Sequence, residues 1–251
     1  MLKEERQQLI LQKVNRERKI LSKDLSEFLK VSEDTVRRDL NELAGKGMIL
    51  KVHGGALATR QKIYTYDEAS ISNLEEKKTI AEKAVSLIRE NHVIIVTGGT
   101  TNFELVSMIP DHLSITVYTY SLSIAMILTE KPNVEVLFIG GKLLKNAQVT
   151  VGIDVIKALS QVHADLCFLG TSALSVTEGL TEINYEVSHV KKAMIEASDN
   201  LVLLCTEEKL NMVERYKVCP ISRVGTVVTS LSQNTLKRKY ANFLATGVDF
   251  I

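Results

Sequence analysis

Residues 31–57 read VSEDTVRRDLNELAGKGMILKVHGGAL, and the pattern inside them decides the fold of the front of the chain. Val36, Leu40 and Leu43 recur at i, i+4 and i+7, so a helix here buries one face. Ser32 stands where an N-cap serine would accept a free N–H of the first turn. Arg37 and Arg38 then fall roughly 100° and 200° around the helix from Val36, away from that face. Gly45 and Gly47 supply the stop. Met48–Val52 reads as a strand, and Gly54-Gly55 as a hairpin turn.

Working upstream, Leu9, Ile10, Leu11 and Val14 give a first helix its apolar side. Ser22 is the expected N-cap of a second helix over Lys23–Leu29, with Leu25, Phe28 and Leu29 at helical spacing. Only Lys30 and Val31 separate the second helix from the third. Three short helices followed by a two-stranded ribbon make a winged helix-turn-helix. Residues 58–73, ATRQKIYTYDEASISN, are polar and keep no periodicity, and are expected to be a linker.

Downstream the period changes. HVIIV, SITVYT, VEVLFI, ADLCFL, LVLLC and VGTVVT are short apolar strands. Helical patterns alternate with them, at Glu75–Arg89, after the TGGTT loop, from Ser121, near Asp154–Ser160, over Tyr185–Ala197 and at the carboxyl end. Such alternation indicates a doubly wound, mostly parallel α/β sheet covered on both faces. The expected division is therefore 1–57, a linker at 58–73, and 74–251. No internal repeat or low-complexity segment interrupts it.

Composition narrows the class. The 251 residues are 45% apolar and 24% charged, enough for packed cores. No apolar run is long enough to span a membrane. The start, MLKEERQQLI, is charged and lacks the apolar core of a signal peptide. Cys167, Cys205 and Cys219 form no metal-ligand spacing and no disulfide framework, so they read as reduced thiols in a cytoplasmic protein. Net charge is +1, but residues 1–60 hold 13 Lys+Arg against 9 Asp+Glu, while the remainder holds 18 against 21. A basic head on a mildly acidic body suggests an anionic partner at the front.

That partner is expected to be double-stranded DNA. In a helix-turn-helix the first turn and outer face of the last helix enter the major groove. An arginine fork can bond guanine O6 and N7 together. Arg37, Arg38 and Asn41 lie on the outer face. Ser32, Thr35 and the free N–H groups of the first turn suit phosphate oxygens. Lys51 and His53 on the wing would reach neighbouring backbone or minor groove. The competing reading is a solvated face on which Asp39 and Glu42 pair with the two arginines.

These residues resemble the DeoR family of bacterial transcriptional regulators. The likeness rests on T-[IV]-R-R-D-L at Thr35, Val36, Arg37, Arg38, Asp39 and Leu40, and on HGGA at His53, Gly54, Gly55 and Ala56. Out of context His-Gly-Gly could be an oxyanion loop. No G-x-S-x-G elbow accompanies it, since GTSAL lacks the closing glycine, and a wing turn is the reading. The resemblance implies operator binding by a homodimer or homotetramer, in most cases as a repressor. It also implies a sensor domain similar to ribose-5-phosphate isomerase and glucosamine-6-phosphate deaminase, binding a small effector such as a phosphorylated sugar.

Within the body, Gly98, Gly99, Thr100 and Thr101 join a strand to a helix, where backbone N–H groups could approach an anion. The loop is not a Walker A motif, because no Gly-Lys-Ser/Thr follows. Segments matching the family's sensor loops are TGGTT, YTYSL, IGGKL, LGTSAL, GLTEINYEVSHVKKAM and CTEEKL. They add Ser121, Gly141, Lys142, Glu186, Lys191 and Lys209 as candidate effector contacts. Lys191 lies on the apolar stripe of Val187, Val190 and Met194, so its ammonium needs an anion: Glu186, another carboxylate, or the effector. Thr97, Tyr120 and Thr206 replace an aspartate, an asparagine and an aspartate usual in the family. LGTSAL lacks the carboxylates that the isomerases carry in D-G-A-D-E. A sensor without turnover, cofactor or metal is therefore expected. The alternative is a sugar-phosphate isomerase or deaminase with an accessory DNA-binding head.

Overall fold

A computed structural model describes residues 3–17, 19–46, 48–58 and 73–251. The chain divides into two compact units, Met1–Ile63 and Tyr64–Ile251. The first contains α1 (Lys3–Glu17), β1 (Lys19–Leu21), α2 (Ser22–Leu29), α3 (Glu33–Gly45), β2 (Ile49–Val52) and β3 (Gly55–Ala58). Its core is Ile10 and Val14 from α1, Leu25 and Leu29 from α2, Val36, Leu40 and Leu43 from α3, with Ile20, Ile49 and Ala56 from the strands. The i, i+4, i+7 spacing on α3 thus does what its period requires.

Several local readings need correction. Ser22 does not cap α2: it is the first helical residue, with no side-chain cap at Leu21. Its N–H instead donates to the Gly54 carbonyl, 2.8 Å, because the preceding residues form a strand. That strand, β1, pairs antiparallel with β3, so the ribbon has three strands rather than two. Phe28 does not pack inward with Leu25 and Leu29. It is exposed, with Lys13 Nζ 4.5 Å from its ring centroid. The hairpin turn is His53-Gly54, with Gly54 at φ +78°, and Gly55 already belongs to β3. Ala58 closes β3 opposite Ile49 and is not linker. Gly47 and linker residues 59–72 lie outside the described residues.

The second unit begins with α4 (Leu74–Val85), β4 (Val93–Val96), α5 (Thr100–Ser107), β5 (Ile115–Thr119), α6 (Leu122–Leu128) and β6 (Val134–Phe138). A hairpin of β7 (Lys142–Leu144) and β8 (Val149–Val151) leads to α7 (Ile153–Leu159) and β9 (Ala164–Gly170). Next come β10 (Ala173–Ser175), β11 (Gly179–Glu182), α8 (Tyr185–Glu196), β12 (Ser198–Leu204) and β13 (Tyr216–Cys219). The chain finishes through β14 (Thr226–Val228), α9 (Gln233–Lys239), α10 (Ala241–Leu244) and β15 (Asp249–Phe250). Helix α4 stops four residues short of the expected Arg89, its end tightened by Leu87 and Ile88 bonding three residues back.

Seven strands form one parallel sheet in the order β15-β14-β12-β9-β4-β5-β6. Alternate residues feed two cores. Ile94, Val96, Val117, Phe168, Val202 and Leu204 face one layer with Ile80, Leu105 and Ile124. Ile95, Cys167, Leu169, Leu201 and Leu203 face the other with Val155, Val190, Met194 and Leu236. Burial on both faces is why the central parts of these strands are apolar. The sequence pattern did not reveal β10-β11-β13, a small antiparallel sheet, or the β7-β8 hairpin.

The order reverses beside β4: strands β5 and β6 lie on one side, and β9, β12, β14 and β15 on the other. A crevice opens outside the carboxyl ends of strands at such a reversal. The segments TGGTT and LGTSAL, which run out of β4 and β9, lie at this reversal.

Candidate functional site

In the first unit, α3 is held from behind and bare in front. Ser32 is its N-cap; its Oγ accepts the Thr35 N–H at 3.3 Å and lies 2.9 Å from Thr35 Oγ1. Asp39 turns inward rather than toward the arginines. It is 2% exposed and receives Arg6 Nε at 2.5 Å and Arg6 Nη2 at 3.2 Å. Glu42 receives Lys3 Nζ at 2.7 Å and Gln7 Nε2 at 3.0 Å. Both carboxylates proposed as partners of the arginine pair therefore bind α1 instead.

Arg37 and Arg38 project outward, their side chains 66% and 79% exposed. Both reach Asp34: Arg37 Nη2 donates to Oδ1 at 2.6 Å and Arg38 Nη2 to Oδ2 at 2.9 Å. Ion pairs this exposed contribute little to the stability of the fold. Asn41 Oδ1 accepts from Lys51 Nζ at 2.6 Å, tying wing to helix. His53 is exposed in the wing turn. One surface of the unit thus gathers Ser32, Thr35, Arg37, Arg38, Asn41 and Lys51.

In the second unit the loop after β4 is built by close packing. A Cβ on Gly98 would sit 2.9 Å from Val149 Cγ1 and 3.1 Å from Ser121 Oγ, so nothing larger fits. Gly99, at φ +120°, leads into α5, whose first turn carries Thr100, Thr101 and Asn102. Ser121 caps α6 and is fully buried. Gly141 is equally confined, its Cβ position 2.8 Å from Val155 Cγ2 and 2.9 Å from the Val151 carbonyl.

Thr97 binds the two loops together. Its Oγ1 accepts the Gly170 N–H at 3.0 Å and the Asn102 amide at 2.7 Å. Lys191 Nζ donates to the Gly170 carbonyl at 2.8 Å and to Glu182 Oε2 at 2.7 Å. The buried lysine therefore has a carboxylate, and it is Glu182, not Glu186. Glu186 instead pairs with Lys142 at 3.0 Å in solvent. Lys209 stands 2.8 Å from Glu208, beyond β12. Burial alone would raise the Glu182 carboxyl, but the Lys191 ammonium, the Ser172 hydroxyl and the Asn184 N–H hold it below the ordinary carboxylate range.

Glu182 was missed by the sequence pattern, which counted LGTSAL as lacking a carboxylate. Ser172 of that run donates to Glu182 Oε2 at 2.7 Å, so a carboxylate does reach it. Its oxygens are already taken by Ser172, Lys191 and two backbone N–H groups, which leaves a poor general base. The only sequence signal was an acid ending a short, otherwise uncharged strand. All three cysteines are free and buried, and burial pushes the Cys205 thiol up to about 12 and the Cys219 thiol up to about 11. No helix among the described residues is long and apolar enough to cross a membrane.

Comparison with known proteins fits both units. Residues 6–62 match the model of the DeoR-like helix-turn-helix domain, and residues 72–231 that of the DeoR C-terminal sensor domain. The chain is 31% identical to the HTH-type transcriptional regulator GolR of Listeria innocua, over 97% of this chain and 96% of that protein. It is 28% identical to the glycerol-3-phosphate regulon repressor of Escherichia coli, over 88% of each. Ribose-5-phosphate isomerase A from Methanocaldococcus jannaschii aligns with a TM-score of 0.42 and 18% identity over 55% of each chain. The chain belongs to the DeoR family: it is a DNA-binding transcriptional regulator, and its α/β unit is a sensor domain rather than an enzyme.

Proposed function

We propose that this regulator reads operator DNA with the first turn and outer face of α3. Arg37 and Arg38 meet base edges in the major groove, and Asn41 reads beside them. Ser32 and Thr35 meet phosphate, while Lys51 and His53 bring the wing to the backbone or minor groove. One observation carries this reading: the arginines are the exposed side of a helix whose opposite side is wholly committed to the core and to α1. The protein acts as a repressor in the cytoplasm, as a homodimer or homotetramer presenting paired heads.

The effector is a small phosphorylated sugar or polyol at the crevice beside β4. Its phosphate meets the loop of Gly98 and Gly99 and the start of α5, with Thr100 and Thr101 as hydroxyl donors. Ser121, Gly141, Lys142, Glu186 and Lys209 border it. Lys191 acts from behind, holding Gly170 in place. Uncharged side chains at Thr97, Tyr120 and Thr206 favour a ligand with few hydroxyl groups to hold. A relative bearing the name of the glycerol-3-phosphate regulon supports that class.

The test uses the full chain and labelled duplexes from its own promoter region, followed by fluorescence anisotropy. Arg37→Ala relaxes base preference, at a cost of about 1–3 kcal/mol on the specific site. Equal affinity of the wild type for promoter and scrambled duplexes at physiological salt removes the DNA reading. A thermal-shift series with phosphorylated and unphosphorylated sugars tests the effector. Ligand at a hundred times its Kd adds about 2.7 kcal/mol of apparent stability. A shift from the unphosphorylated compounds alone removes the phosphate assignment.

A further inference from the structure

The face assigned to DNA carries a carboxylate. Asp34, half-exposed in the first turn of α3, reaches both guanidinium groups, one oxygen to each. A negative charge on such a face opposes the phosphate backbone and lowers affinity for every duplex. Ser32 already caps the helix, and Glu33 already supplies an acid to its first turn. The other two carboxylates of α3 near the pair, Asp39 and Glu42, are turned to α1. Asp34 is thus the α3 acid directed at Arg37 and Arg38, and the cost it imposes calls for a return.

Each arginine gives Asp34 one Nη donor. The remaining donors of each fork stay available, and two are enough for guanine O6 and N7. Long side chains held in one geometry before contact lose less freedom on binding. Two forks fastened to one carboxylate are also held relative to one another, as adjacent base pairs demand.

We propose that Asp34 is a positioning residue that sets sequence specificity, its two carboxylate oxygens aiming Arg37 and Arg38 at neighbouring base edges at the expense of non-specific affinity. The inference rests on the assignment of α3 to the major groove. Three roles then separate. A carboxylate that only competes with DNA changes affinity for specific and scrambled duplexes by the same factor. One that only stabilises the helix leaves base preference untouched. A positioning carboxylate weakens scrambled binding more than selected binding, so its removal narrows the ratio between them.

The experiment uses the full-length protein and duplexes selected by the wild type from a randomised pool. Affinities for a selected duplex and a scrambled duplex of equal composition are measured by anisotropy over a salt series. Asp34→Asn and Asp34→Ala are compared with Arg37→Ala and Arg38→Ala, with folding checked by amide hydrogen exchange in α3. Both Asp34 variants are expected to bind scrambled DNA more tightly, with a salt slope steeper by about one. Their ratio of selected to scrambled affinity falls about tenfold, and the loss maps to the base pairs at which the arginine variants lose preference. An unchanged or increased ratio in both Asp34 variants overturns the proposal. If the arginine variants lose preference while the Asp34 variants do not, only the role of Asp34 is wrong. If the arginine variants keep full preference, the placement of α3 on DNA fails as well.

Discussion

Glu182 and Lys191 form an ion pair with each side chain only 6% exposed. A buried charge loses hydration, and the pair survives because every strong acceptor is used: Oε1 by two backbone N–H groups, Oε2 by Ser172 and Lys191. Removing one partner strands the other. Glu182→Gln is expected to cost about 3–5 kcal/mol in urea unfolding at neutral pH, and adding Lys191→Met should recover part of that loss. The acid side of the stability profile follows from sign. Glu182 titrates lower in the folded protein than in the unfolded chain, so its stabilisation is complete above about pH 5. It drains away as pH falls through the unfolded value near 4.3 and then the lower folded one. Glu182→Gln should flatten that limb; an unaltered slope between about pH 5 and 3 would place the acid sensitivity on other groups. The same residue shows where reading by pattern stops. Spacing on α8 was enough to mark Lys191 as a buried ammonium in need of an anion. Choosing Glu182 over Glu186 depended on β11 being folded beside the helix, which no period encodes.

At the scale of elements, legibility tracks how much of the hydrophobic period an element owns. The apolar runs of β4, β5, β9 and β12 and the amphipathic α3 were readable because burial dictates their spacing. The three-residue β1, alternating exposed, buried, exposed, is too short to show a period between two helices. Its effect on Gly55 is severe. A Cβ there would lie within 2.1 Å of the Ile20 carbonyl, in the backbone of the neighbouring strand. Gly54, by contrast, needs its glycine for a φ of +78° and has open space around it. The HGGA turn therefore holds two glycines for two reasons. Gly55→Ala should part β1 from β3, lower protection from hydrogen exchange across residues 19–21 and 55–57, and cost about 1–3 kcal/mol or more. Gly54→Ala should cost about 1–2 kcal/mol and leave the strand pairing intact. Equal protection losses in the two variants would mean that the third strand does not constrain the wing.

For the whole molecule, regulation requires that effector and operator each alter the affinity for the other. A repressor released by its effector must bind the two ligands antagonistically, and the coupling is thermodynamically reciprocal. If a phosphorylated sugar at saturation weakens operator binding by a factor in the usual range of about 5–150, saturating operator must weaken the sugar by that same factor. Both can be measured on the full chain by titrating sugar against free and DNA-bound protein, and DNA against free and sugar-bound protein. Scrambled duplex at the same concentration should leave the sugar's affinity nearly unchanged, because it does not select the operator-competent arrangement. The proposed pairing of heads adds a geometric requirement: recognition helices about 34–36 Å apart engage successive turns of one face of DNA. Inserting five base pairs between half-sites turns one of them to the opposite face and should reduce affinity to that of a single half-site. Inserting ten restores the face, and with it the binding. A five-pair insertion that costs nothing would mean that single heads bind independently, and the effector would then have no spacing between heads to change.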